Sequence, residues 1–414
     1  MKQLSILLQQ HTPLLHFQHM EEGATLRATE VKPRLDKYII ATMGGVKNIP
    51  EEWFVGRGKH LSLNYKMKIV AKRLDHGFKI RTLPKTDNNN NTLTDKWGSE
   101  LYESKYTLVL GNMVPKPRGE LLNFSLADKV GLTILCQNER MRQELTHCLP
   151  SFFAANNFAA RNNKGFGSFS VVKINDREVS WSPTDFSDGW QVMTCSLKGK
   201  RDRFEKIRTV FEVIEYYWKG LKSGINYRNV LYSKSFLYTY LNKLGRTWEK
   251  RAIKRCFNLG NCSQIGLENN NEEMFGRALL GLSDTFEYRF PNKPSRRIYI
   301  THKEIERIKA PIVFKPVFDF EADYAFIYIL IDDAHMNSID YRNGNRFLFQ
   351  DERDSNQLEL PLNMRIDYID LLGKYMESFR SNGQDTWRFF EPLNFMGKYI
   401  LGDEYNRVYI DWVR

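Results

Sequence analysis

The chain has 414 residues, 42% hydrophobic and 13% aromatic, with a formal net charge of +12. That length supports two or three domains around a large buried core, and most of the chain is expected to fold. No stretch approaches the ~20 apolar residues of a membrane span, so the positive balance points to a polyanionic partner, nucleic acid before membrane.

The opening apolar patch, Leu4, Ile6, Leu7 and Leu8, is too short and too soon interrupted for a secretion signal. Residues 31–40 fit an amphipathic helix with Leu35, Tyr38 and Ile39 on one face and Pro33 in its first turn. Residues 61–72 alternate as a half-buried strand, with Leu63, Tyr65, Met67 and Ile69 on one side. Its other side carries Lys66 and Lys68 and is basic. A polar loop at 86–92 follows, then a strand at 106–113 closed by Pro115 and Pro117. Residues 132–136 read as a buried strand. Asn138 caps a helix at 139–155 that Pro150 kinks or ends, and 170–174 form another strand. Strand, helix, strands, helix, strand suits an α+β sandwich with helices on one face of an antiparallel sheet, as in ferredoxin-like domains.

The middle changes character. Residues 201–221 place Phe204, Ile207, Val210, Phe211, Ile214 and Trp218 at helical spacing, and helices are expected at 231–244 and 247–257. Residues 201–260 hold 14 Lys or Arg against 5 Asp or Glu, an excess of nine. That block is either a solvated helix face or a phosphate-contacting surface. Strands at 298–301 and 326–331 and a helix at 364–380 return to mixed structure. The expected division is a domain at 1–195, a basic helical insertion at 196–260 and a second α+β domain at 261–414.

Between helix and strand lies Asn162-Asn163-Lys164-Gly165-Phe166-Gly167-Ser168-Phe169, preceded by Arg161. Glycine admits positive φ and close ligand approach, and exposed amides beside cations hold phosphate oxygens. Five scattered cysteines (Cys136, Cys148, Cys195, Cys256, Cys262) argue for a reducing cytoplasm rather than a disulfide framework. Neither the Cys256–Cys262 spacing nor His16 and His19 supplies a metal set. No cofactor is expected.

Three segments resemble the RAMP superfamily of CRISPR-associated proteins. The first runs Gln10-His11-Thr12-Pro13-Leu14-Leu15-His16-Phe17, then Gly23 to Lys32, where the family often has a "TP" strand, a loop and a helix. The second is the glycine loop at 161–169. The third is Arg307-Ile308-Lys309-Ala310-Pro311-Ile312-Val313-Phe314-Lys315-Pro316, similar to an "SPL" segment common in these folds. Two such modules at this length look most like the first-numbered subunit family of Cmr (type III-B) complexes.

That resemblance implies two ferredoxin-like (RRM-like) domains. It also implies a cytoplasmic, non-catalytic subunit that holds guide RNA and target RNA beside other RAMP subunits, at the guide 3′ end. The expected RNA contacts are Arg27, Lys32, Arg34, Arg161, Lys164, Gly165, Phe166 and Gly167, with Lys250, Arg251 and Lys254 on the basic block. Phe166 either stacks on a base or packs beneath the loop, and packing is the favoured reading. Alanine at Gly165 and Gly167 is expected to weaken RNA retention with the fold intact.

Two rivals stand beside this. One is an endoribonuclease that processes guide precursors through His11, His16, His19 or His60. The other is a protein-docking module built on the basic block. Asp36, in a helix, is a poor catalytic candidate, and Asp332-Asp333-Ala334-His335 reads as a strand-ending turn.

Overall fold

A computed structural model describes residues 2–14, 25–56, 61–71, 129–179, 191–200, 202–227, 231–259, 272–282, 284–290, 293–319, 321–341, 345–353, 355–380 and 408–412, with short pieces at 74–75, 79–80, 82–84, 91–92, 102–104, 122–123 and 126–127. The expected strand at 106–113 lies outside them.

In chain order the main elements begin with β1 (Lys2–Gln10), α1 (Ala28–Thr42), β2 (Tyr65–Ala71), β3 (Lys129–Cys136), α2 (Glu139–Ala155), β4 (Phe169–Ile174) and β5 (Arg177–Glu178). Next come β6 (Gln191–Ser196), α3 (Arg203–Lys222), α4 (Phe236–Lys243), α5 (Lys250–Cys256), β7 (Thr285–Phe290) and β8 (Lys293–Thr301). The last are β9 (Ile312–Asp319), β10 (Tyr324–Ile331), β11 (Arg346–Asp351), β12 (Gln357–Pro361), α6 (Tyr368–Arg380) and β13 (Val408–Trp412).

The chain forms two compact units. One comprises Met1–Glu215, Phe314–Leu330 and Arg407–Arg414; the other comprises Tyr216–Val313 and Ile331–Asn406. The boundary falls inside α3.

In the first unit β1 is a central strand, not merely an apolar patch. Leu4, Ile6 and Leu8 point inward at period two, and β1 pairs antiparallel with β3 and β4. The sheet order is β5-β4-β1-β3-β2. With α1 between β1 and β2, and α2 between β3 and β4, this is the β-α-β-β-α-β ferredoxin-like path. The inner sheet face and both helices share one core that includes Leu35, Ile39, Leu145, Leu149 and Phe152. Asn138 Oδ1 accepts the Met141 amide at 2.9 Å, so α2 starts where its cap residue predicts, and Pro150 does not end it. Helix α1 starts at Ala28, earlier than expected, so Pro33 lies inside the helix rather than in its first turn.

A second sheet in this unit has the order β9-β10-β6-β13. Chain order β6, α3, β9, β10, α6, β13 repeats the same connectivity, with more than 80 residues inserted between α3 and β9. Its first strand is Gln191–Ser196, whereas the sequence reading began the second α+β domain at 261. Pro316 is tolerated in β9 because β9 is an edge strand.

The second unit contains an antiparallel meander, β7-β8-β11-β12. Phe275, Phe286, Phe347 and Phe349 interlock edge-to-face beside it. The expected helix at 231–244 is shorter: Leu231–Ser233 is a strand paired with Ile225–Tyr227, and Ser235 caps α4 through the Tyr238 amide. Likewise Arg246–Trp248 is a strand parallel to Glu272–Met274, so α5 begins only at Lys250. β-branched and aromatic residues won over helical spacing in both places.

Candidate nucleic-acid interface

In the first unit the three motif segments meet. The Thr12 hydroxyl donates to the Gly165 carbonyl at 2.6 Å and accepts the Ser168 amide at 2.9 Å. The Ser168 hydroxyl donates to the Pro316 carbonyl at 2.6 Å. Asn157 Nδ2 donates to the carbonyls of Asn162 and Phe314, both at 2.7 Å. Lys315 is fully buried, and its Nζ donates to the carbonyls of Phe153, Asn156 and Phe169 at 2.7–2.9 Å. Three donors meet three acceptors, and two of those acceptors are at the C-terminal end of α2, where a cation is favoured. Burial, and then the Arg34 charge, push the Lys315 pKa well below its ordinary value.

The glycine loop is held from within. Gly165 has φ +92° and Gly167 φ +65°. The Gly167 amide donates to the Pro13 carbonyl at 2.9 Å and the Gly165 amide to the Asn162 carbonyl at 3.2 Å. Neither amide is left for a phosphate, contrary to the sequence expectation. A Cβ on Gly167 would stand 2.0 Å from the Phe158 carbonyl oxygen, and one on Gly165 would stand 2.9 Å from Pro316 Cγ. Alanine at these positions therefore strikes the fold, and the expectation of an intact fold is corrected. Phe166 is 3% exposed and stacks on Phe211 at 4.4 Å between centroids, so the ring packs beneath the loop rather than offering a face to a base.

The predicted cations divide. Lys32 Nζ donates to Asp36 Oδ2, the Ser62 hydroxyl and the Leu63 carbonyl at 2.8–2.9 Å, and it lies over the Tyr65 ring. Arg34 donates to the Asn157 carbonyl and Asn156 Oδ1, and its guanidinium covers Phe158. Both are committed to joining α1 to its neighbours. Arg27 is exposed at the start of α1. Arg161 and Lys164 are half-buried on the loop; burial lowers the Arg161 pKa, with Glu215 opposing, and the Lys164 ammonium is itself buried, so contrary to the sequence expectation it does not face a phosphate.

His11 has both ring nitrogens engaged. The Phe318 amide donates to Nδ1 at 3.1 Å, which makes Nε2 the donor to Ser170 Oγ at 2.8 Å. Burial, then Lys315 and Arg203, lower its pKa to about 3, so the imidazole is neutral at physiological pH. His16, His19 and His60 lie outside the described residues. Among the described residues no cluster of three metal-ligating side chains occurs and no helix is long and apolar enough to cross a membrane.

In the second unit the basic block is partly consumed by pairing. Arg246 pairs with Glu272, and Arg255 meets both oxygens of Glu273 at 2.8–2.9 Å. Lys222 donates to the carbonyls of Leu280 and Gly281, and its pKa falls to about 7 through burial and the Arg277 charge. Burial and Arg277 also lower the Lys250 pKa, while Arg251 and Lys254 sit half-exposed on α5. Sequence reasoning missed Asn157 and Lys315 as tethers. Lys315 stood in a quoted motif, but nothing in the sequence marks Asn157.

The model of the Cmr1 N-terminal domain matches residues 1–225, and that of the Cmr1 C-terminal domain matches residues 232–393. Among solved structures, the chain is similar to Cmr1 from Pyrococcus furiosus in its apo form, with 12% identity, 80% of this chain and 88% of that chain covered, and a TM-score of 0.38. It is also similar to a chain of the Type III-B Cmr-beta complex bound to cognate target RNA, with 15% identity, 42% and 59% covered, and a TM-score of 0.28. Comparison with curated proteins finds no match.

Proposed function

The chain belongs to the Cmr1 family, and on that premise we propose that it is a non-catalytic, RNA-binding subunit of a cytoplasmic type III-B CRISPR effector. It holds guide RNA, target RNA or both at the guide 3′ end, beside other Cmr subunits. The observation that carries this reading is the succession of both Cmr1 domains along most of the chain. The burial and neutrality of His11 support the non-catalytic part, because a general acid or base must reach the proton it moves. RNA contacts fall to Arg27 and Arg161 in the first unit and to Lys250, Arg251 and Lys254 on the basic segment.

The test is to purify the full chain, titrate it against fluorescent single-stranded RNA at several salt concentrations, and look for cleavage on a gel. Intact RNA bound with a log affinity that falls linearly with log[salt] is expected. Cut guide precursor would replace the reading with the endoribonuclease, and the absence of salt-sensitive binding would overturn it.

A further inference from the structure

We infer that the outer face of the first sheet is a second RNA surface, one that grips the phosphodiester backbone of single-stranded RNA without reading bases. The inference rests on the RNA-binding reading above but uses none of its residues. The inner face of this sheet is filled by α1 and α2; the outer face carries side chains to solvent from β1, β2 and β3. Lys66 and Lys68 on β2 and Lys129 on β3 are exposed there. Among the described residues none of the three meets a carboxylate, unlike Lys32 or Arg255. Lys173 adds a fourth cation, shared with Glu178 at 3.6 Å.

The register sets their spacing. Lys66 lies opposite Leu135 and Lys68 opposite Thr133, while Lys129 lies six residues along β3 from Leu135. At ~3.3 Å per residue the three ammonium groups are distributed over about 20 Å of strand. Between them the surface mixes small and polar residues, Gly131 and Thr133 on β3 with Gln3 and Ser5 on β1, with the aliphatic Leu7, Val70 and Leu135.

The composition selects the partner. A protein interface is enriched in aromatic anchors and depleted in lysine; among the described residues this centre has no aromatic, only the aliphatic Leu7, Val70 and Leu135, and lysines flank it. The same lack of aromatics removes base stacking. Lysines spaced along the face fit a string of phosphates, which position a strand and carry no sequence information.

The test is the full chain with Lys66→Gln, Lys68→Gln and Lys129→Gln combined, titrated against oligouridine and oligoadenine over a salt series. Loss of three phosphate contacts predicts a salt slope shallower by about 2, with equal weakening for both homopolymers, and the triple Lys→Arg variant is expected to keep the original slope. An unchanged slope in the glutamine variant, with the parent chain still binding RNA, overturns this inference and leaves the proposed function standing. If that variant instead fails to join the other Cmr subunits, the face belongs to a protein and the inference also falls. No salt-dependent binding by the parent chain overturns both.

Discussion

Two basic regions of the first unit differ in what their cations do. At the seam where the opening segment, the glycine loop and β9 converge, Arg34 and Lys315 spend their donors on carbonyls and Asn156 Oδ1, and Lys32 spends its own where α1 meets residues 62–65. On the outer sheet face, Lys66, Lys68 and Lys129 stand in solvent. The seam contains the motifs, while the face has no motif, only alternation. A cation in a recognisable motif need not touch the ligand. Here its position in the fold leaves it to satisfy helix ends and loop carbonyls that burial would otherwise orphan.

The largest expected effect is at the seam. Gly167→Ala should lose about 4 kcal/mol or more, since its Cβ meets a backbone carbonyl and its φ is positive. Chemical denaturation reads this directly, and a loss under about 1 kcal/mol would mean that the loop adjusts freely. Next, Lys315→Met leaves three carbonyls unpaired, at roughly 1 kcal/mol each, or about 3 kcal/mol together. A variant as stable as the parent would show that the ammonium does not hold the seam.

A third effect appears with pH. The folded His11 pKa of about 3 lies below its unfolded value of 6.5, so the unfolded chain binds the extra proton. Stability is therefore expected to fall as pH drops through 6.5, by about 2 kcal/mol between neutral pH and pH 5. His11→Gln should flatten that part of the profile; an equally steep profile in the variant would assign the proton to another group. The smallest stability effect belongs to the sheet face. Each of Lys66→Gln, Lys68→Gln and Lys129→Gln is expected to change stability by no more than about 0.5 kcal/mol. A thermal scan showing a larger loss would mean that those lysines are structural after all, and the contrast with the seam would dissolve.

Local patterning was legible. The α2 span and its Asn138 cap, the inward Tyr65, Met67 and Ile69 of β2, and the packing of Phe166 all follow from spacing and turn chemistry. The strand β1 was not read from the sequence, where Leu4 to Leu8 stands only as a short apolar patch. The α+β class followed from the order of strands and helices, and the family from three short segments whose residues touch. Illegible were the strands at 231–233 and 246–248, three residues each beside strong helical spacing, and the pairing of Gln191–Ser196 with Tyr324–Ile331. The last joins residues 128–138 positions apart, and no local signal encodes such a contact.

What the sequence determined by itself was the kind of most long elements, the charge of the molecule and the family to which it belongs, because these rest on side chains a few residues apart. Tertiary structure alone decided that the glycine amides turn inward, that Lys315 is buried among carbonyls, and that Lys66 is exposed. Those outcomes depend on which distant backbone groups need a partner once water has been excluded.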